Sequence, residues 1–70
     1  MTHAEFAKAI NDLGLNQLNA AMLLGVHKRT VRRWEYGERE VPPPVANFLR
    51  YLKKKSVTGA KALDVLGITN

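Results

Sequence analysis

The tightest constraint in this chain is a three-residue turn, Gly25-Val26-His27, set between two stretches with helical spacing. Ahead of it, Asn16 is a favourable N-cap, and Leu18, Ala21 and Leu24 follow at helical intervals. Behind it, a segment from about Lys28 to Tyr36 carries Val31 and Trp34 on its apolar side, and Gly37 terminates it. So sharp a turn needs a residue at positive φ, which Gly25 supplies without steric penalty. Ala21 is small enough for the second helix to approach closely. The stretch therefore reads as two short helices packed across one tight turn.

The flanking sequence has the same helical character, and no run shows sustained strand alternation. Thr2 and Glu5 have the spacing of a capping box. Phe6, Ile10 and Leu13 then fall on one face, and Gly14 ends the segment. Residues 37–44 cannot be helical throughout, because Pro42, Pro43 and Pro44 remove donors and push their predecessors towards extended geometry. Pro43 or Pro44 suits the first turn of the next helix, whose stripe is Val45, Phe48, Leu49 and Leu52. That helix ends in Lys53, Lys54 and Lys55, cations that favour a helix C-terminus. Ser56 or Thr58 can cap a last helix bearing Ala60, Leu63 and Leu66 and closed by Gly67. The expected fold is all-α: one domain over residues 1–70, a compact bundle of about five short helices. With 70 residues and no cysteine, disulfides and thiolate metal sites are excluded, and one small apolar core must hold the chain together.

The charge balance points to a polyanionic partner. Eleven Lys and Arg face six Asp and Glu, a net charge of +5. Residues 28–33 include Lys28, Arg29, Arg32 and Arg33 and no acid. With Val31 at the centre of the buried face, Trp34, Glu35 and His27 fall within about 60° of it. Arg29, Arg32, Arg33 and Tyr36 fall on the outward side, with Lys28 on the N-terminal flank. A guanidinium matches the O6 and N7 acceptors of guanine, and Lys reaches the same atoms. Joined to the tight turn, this is the geometry of a helix-turn-helix over about residues 16–37, whose second helix enters the major groove. Other classes have little support. His3 and His27 lack ligand spacing, the six carboxylates are scattered, and no glycine-rich phosphate loop occurs, so no enzyme, metal or cofactor is expected. No stretch approaches the ~20 apolar residues of a membrane span, and no signal peptide is read at the N-terminus. The expected compartment is the bacterial cytoplasm.

The run Leu13-Gly14-Leu15-Asn16-Gln17, through Leu24-Gly25-Val26-His27, to Val31-Arg32-Arg33-Trp34-Glu35-Tyr36-Gly37 resembles the helix-turn-helix family of the lambdoid phage repressors and Cro proteins, the XRE-type group. The resemblance covers about residues 5–53 and is matched without gaps from Gln17 through Gly25 to Gly37. It implies a sequence-specific DNA-binding transcriptional regulator, usually a repressor and usually a dimer on a palindromic operator. It aligns Lys28, Arg29 and Arg33 with the family's base readers, and Thr30 and Arg32, which flank them, are further base-contact candidates that can instead meet phosphate. Gln17 matches a phosphate-anchoring glutamine, and Asn16 caps the same helix, where anions are favoured. Arg39 is the phosphate candidate of the following loop, with Glu38 and Glu40 facing away. Trp34 matches an apolar core position. Two departures stand out. His27 occupies a cap position usually held by Ser or Thr, and its expected role is structural rather than a phosphate contact. The glutamate matched by Glu35 commonly pairs with an arginine where this chain has Ile10, so Glu35 needs another partner, Arg39 or a backbone donor.

The C-terminal stretch 57–70 carries Leu63, Val65, Leu66 and Ile68, more apolar residues than a short last helix needs. They can complete the monomer core, but the expected use is a two-fold dimer interface. A chain this short leaves no room for a sensor domain, so no small-molecule effector is expected. The functional expectation is a dimeric autorepressor of a small phage, mobile-element or bacterial operon, for which regulators encoded beside anti-CRISPR genes are one analogy. The alternative is an antitoxin or adaptor that uses the same fold to hold a protein partner.

Overall fold

The computed structural model describes residues 1–55 and 57–67. Five helices follow one another: α1 (His3–Asp12), α2 (Gln17–Leu24), α3 (Lys28–Glu35), α4 (Pro43–Lys54) and α5 (Gly59–Val65). Among the described residues there is no strand. This is the all-α arrangement of about five short helices that the sequence predicts.

Local chemistry sets the helix starts. The Thr2 Oγ1 accepts from the Glu5 amide at 3.1 Å, and the Thr2 amide donates to Glu5 Oε1 at 2.8 Å, a complete capping box. Asn16 Oδ1 caps α2 by accepting from the Asn19 amide at 2.8 Å. Pro42 stands at the N-cap of α4, with Pro43 and Pro44 in its first turn. There their missing amides leave no helical bond unmade. Thr58 caps α5 through the Lys61 amide. Ser56, the other candidate for that cap, lies outside the described residues.

The core draws on all five helices. Phe6 from α1 meets Trp34 from α3 edge-on, with centroids 5.6 Å apart and rings at 79°. Trp34 is buried, as expected. Val31, Leu49 and Phe6 are the largest fully enclosed side chains. Ile10, Leu13, Leu15, Ala20, Ala21, Leu23, Val41, Ala46, Leu52, Ala62 and Leu63 complete the cluster.

Two helices are rotated from the expected stripes. In α2, Leu18 is 56% exposed, and Ala20, Ala21 and Leu23 pack inward instead. Leu18 lies about 200° round the helix from Ala20, so both cannot face the core. In α5 the inward residues are Gly59, Ala62 and Leu63, while Ala60 and Leu66 point out. The cause is a tertiary bond: the Gly59 amide donates to the Leu13 carbonyl at 2.8 Å and presses the helix start against Leu15.

Asp12 Oδ2 pairs with Lys8 Nζ at 3.0 Å and with Lys53 Nζ at 3.1 Å. These two contacts, Lys8 first, hold the Asp12 carboxyl below its usual range. The amide and then the hydroxyl of Thr2 do the same for Glu5.

Candidate nucleic-acid interface

The turn between α2 and α3 is closed by Gly25 at φ +69°, and the Val26 amide returns to the Ala21 carbonyl at 3.0 Å. His27 then starts α3. Its Nδ1 accepts from the Arg29 amide at 3.0 Å, so the ring is a side-chain N-cap. The structural role expected of His27 is thus present, although histidine is an unusual choice for it.

The far end of α3 is tied by a longer bond. His3 Nδ1 donates to the Glu35 carbonyl at 3.3 Å, which ties the start of α1 to the last turn of α3. The His3 ring lies over Gly37, where a Cβ would stand 3.1 Å from its Cδ2. Gly37 also has φ +76°, so the loop beyond α3 relies on glycine for both shape and space. The Arg33 carbonyl accepts from the amides of Glu38 and Arg39 at 2.9 and 3.3 Å, folding that loop back on the helix end.

Held at both ends and seated on Phe6, α3 presents its cations outward. Lys28, Arg29 and Arg32 are exposed, and Thr30 and Arg33 are half-buried. Two rows result. Arg29 and Arg33, four residues apart, form one row on the outward side, with Arg33 the less exposed of the two. Lys28, Arg32 and Tyr36 run along the flank beside it. Gln17, His27, Lys28, Arg29 and Arg32 line one open concavity between the start of α2 and α3. The first turn of α2 and the basic flank of α3 thus share one surface with no carboxylate in its lining. Asn16 spends its carbonyl oxygen on the cap, which leaves its amide nitrogen as the donor at that helix start.

Arg39 lies apart from this concavity, beside Met1, Thr2, His3, Gly37, Glu40 and Val41. Glu38 and Glu40 are exposed. Arg39 is not the partner of Glu35, nor is a backbone donor. Glu35 Oε1 is buried and has no hydrogen-bond partner among the described residues. Ile10, which stands where the family commonly has that arginine, is 4% exposed and belongs to the core.

Two surface features escaped the sequence reading. Leu18 is exposed near Gln17. Tyr36 is 61% exposed, on the outward side as expected, but the Arg32 guanidinium over its ring at 5.6 Å was not foreseen. The i, i+4 spacing of Arg32 and Tyr36 was the available signal for that pair. A second group of cations, Arg50, Lys53, Lys54 and Lys55, lies on α4 and its C-cap, with the Arg50 charge felt by Glu5 in the first turn of α1. Lys53 meets Asp12 at the C-terminal end of α1, whereas His3 meets α3 at its N-terminal end, about 15 Å away along the helix.

A helix-turn-helix family model matches residues 6–54. The chain belongs to the helix-turn-helix family of XRE type, the lambda repressor and Cro-like group. It is a DNA-binding transcriptional regulator of that type. No curated protein and no solved structure matches the chain. The matched span begins at Phe6 under α3 and ends in the last turn of α4, so every residue of the concavity falls inside it. Among the described residues, no helix is long and apolar enough to cross a membrane.

Proposed function

We propose that this family member is a sequence-specific repressor that binds a palindromic operator as a homodimer. The observation that carries the reading is the outer face of α3. Its cations stand clear of any carboxylate, on a helix fixed at one end by His27 and at the other by His3. Arg29 and Arg33 read base edges from one row of that face, with Lys28 and Thr30 contributing at the N-terminal half. Gln17, the Asn16 amide group and Arg39 set register on phosphates.

The dimer reading is supported by an apolar groove formed by Phe48, Tyr51, Leu52 and Val57 with Ala62, Val65 and Leu66 of α5. Val65 is 71% exposed and Leu66 56%. Leu63 drops out of the proposed interface, because at 7% exposure it is part of the monomer core. Ile68 lies outside the described residues. Two recognition helices about 34 Å apart would then meet successive major grooves on one side of the DNA. The site is a bacterial cytoplasmic one in this reading, and the regulated operon is the protein's own, in a phage, a mobile element or a bacterial chromosome.

Selection of bound sequences from a random duplex pool tests both parts. The expected result is a palindromic consensus with guanine-containing steps in each half-site. A consensus without symmetry would refute the dimer and keep the base-reading helix. No sequence enrichment would refute the sequence-specific repressor.

A further inference from the structure

We propose that Arg32 binds a DNA phosphate beside Gln17 rather than a base, and that Tyr36 is the positioning residue that holds it there. This rests on the DNA-binding reading above and changes the role of one residue on α3. Arg32 is one residue from Arg33 in sequence but about 100° away round the helix. That rotation places it in the wall of the concavity it shares with Gln17, His27, Lys28 and Arg29, which Arg33 does not line. In a helix-turn-helix the first helix crosses the DNA backbone and the second enters the groove. The Gln17 side of that wall therefore meets phosphates, and the helix start there favours an anion.

The aromatic contact adds orientation. With its guanidinium carbon 5.6 Å from the Tyr36 centroid, Arg32 lies over the ring. The charge interacts with the π-face, and the N–H donors stay free for the paired oxygens of a phosphate. An unpaired exposed arginine would have to give up much more rotamer freedom on binding. Tyr36 reduces that loss before DNA arrives.

The test uses the full chain, duplexes carrying the selected sequence, and unrelated duplexes of the same length. Arg32→Ala is expected to weaken binding to both kinds by similar factors. It should lower the magnitude of the log affinity against log salt slope by about 1 and leave the selected consensus unchanged. Tyr36→Ala is expected to weaken binding by about two- to fivefold, the range of one exposed cation–π contact. Tyr36→Phe should restore wild-type binding, and Tyr36→Ala should add nothing in an Arg32→Ala background. Both positions are exposed, so circular dichroism should show wild-type helicity. A consensus that changes at one base position in Arg32→Ala would overturn the phosphate assignment. Equal losses for Tyr36→Phe and Tyr36→Ala would overturn the positioning role, since the hydroxyl would then be the contact. If the wild-type protein binds no duplex at low salt, the DNA-binding reading itself fails and this proposal with it.

Discussion

Replacing Gly59 by alanine adds one methyl group at the point where α5 is fastened to the rest of the domain. The Gly59 amide is bonded to the Leu13 carbonyl, and a Cβ would stand 2.8 Å from that same oxygen while overlapping the Leu15 side chain. Neither neighbour yields easily. The carbonyl is backbone held by the bond itself, and Leu15 is 8% exposed and packed in the core. Overpacking of this kind costs about 1–3 kcal/mol. Alanine returns at most about 1 kcal/mol of helix propensity, and less at the first residue of a helix. With about 0.5 kcal/mol returned, the net loss is about 0.5–2.5 kcal/mol, and in a domain of this size the melting midpoint should fall by roughly 2–20 °C. Thermal denaturation followed by circular dichroism measures it. A Leu15→Ala background, which removes the overlapping atoms, should shrink the effect of Gly59→Ala, a coupling a double-mutant cycle reads directly. The helix-turn-helix does not include α5, so affinity for a single half-site should survive while dimerisation weakens. A midpoint at or above wild type would show that the α5 contact has slack and would refute the packing argument.

Other positions make separate demands. Arg33→Ala should relax specificity at one operator position at a cost of roughly 1–3 kcal/mol, measured by titrating single-base operator variants; uniform weakening across all of them would contradict the base-reading role. Glu35→Met should raise stability by about 1 kcal/mol in urea denaturation, because it removes a buried oxygen with no partner; a loss of stability would mean that the carboxylate has a partner after all. Asp12 and Glu5 both have carboxyl groups held below their usual ranges, Asp12 chiefly by Lys8 and Glu5 chiefly by the Thr2 amide. Their contributions are therefore present above the ordinary carboxylate range and are lost as pH falls through the depressed values. Stability measured from pH 6 downward should decline below about pH 4, and Asp12→Asn with Glu5→Gln should flatten that part of the profile.

How much of this could be read from the chain depends on whether the controlling interaction is local. Every side-chain cap lies within three residues of the amide it serves, so Thr2, Asn16 and Thr58 are legible as strings of letters. The outer face of α3 is equally legible, because Val31 and Trp34 contrast sharply with the cations around them. In α2 that contrast is absent. Leu18, Ala20, Ala21, Met22, Leu23 and Leu24 place apolar groups all round the helix, and no periodicity selects one face. Its rotation is settled by packing, which leaves Leu18 outside. The rotation of α5 depends on a bond from Gly59 to Leu13, across 46 positions in the sequence, and pattern reading has no access to it. The orphaned oxygen of Glu35 is a tertiary fact of the same kind. The residues that face DNA are therefore determined more directly by sequence than the surface that faces a second subunit. A basic helix declares its exposed side by charge, whereas an apolar surface residue differs from a core residue only in what the rest of the fold happens to cover.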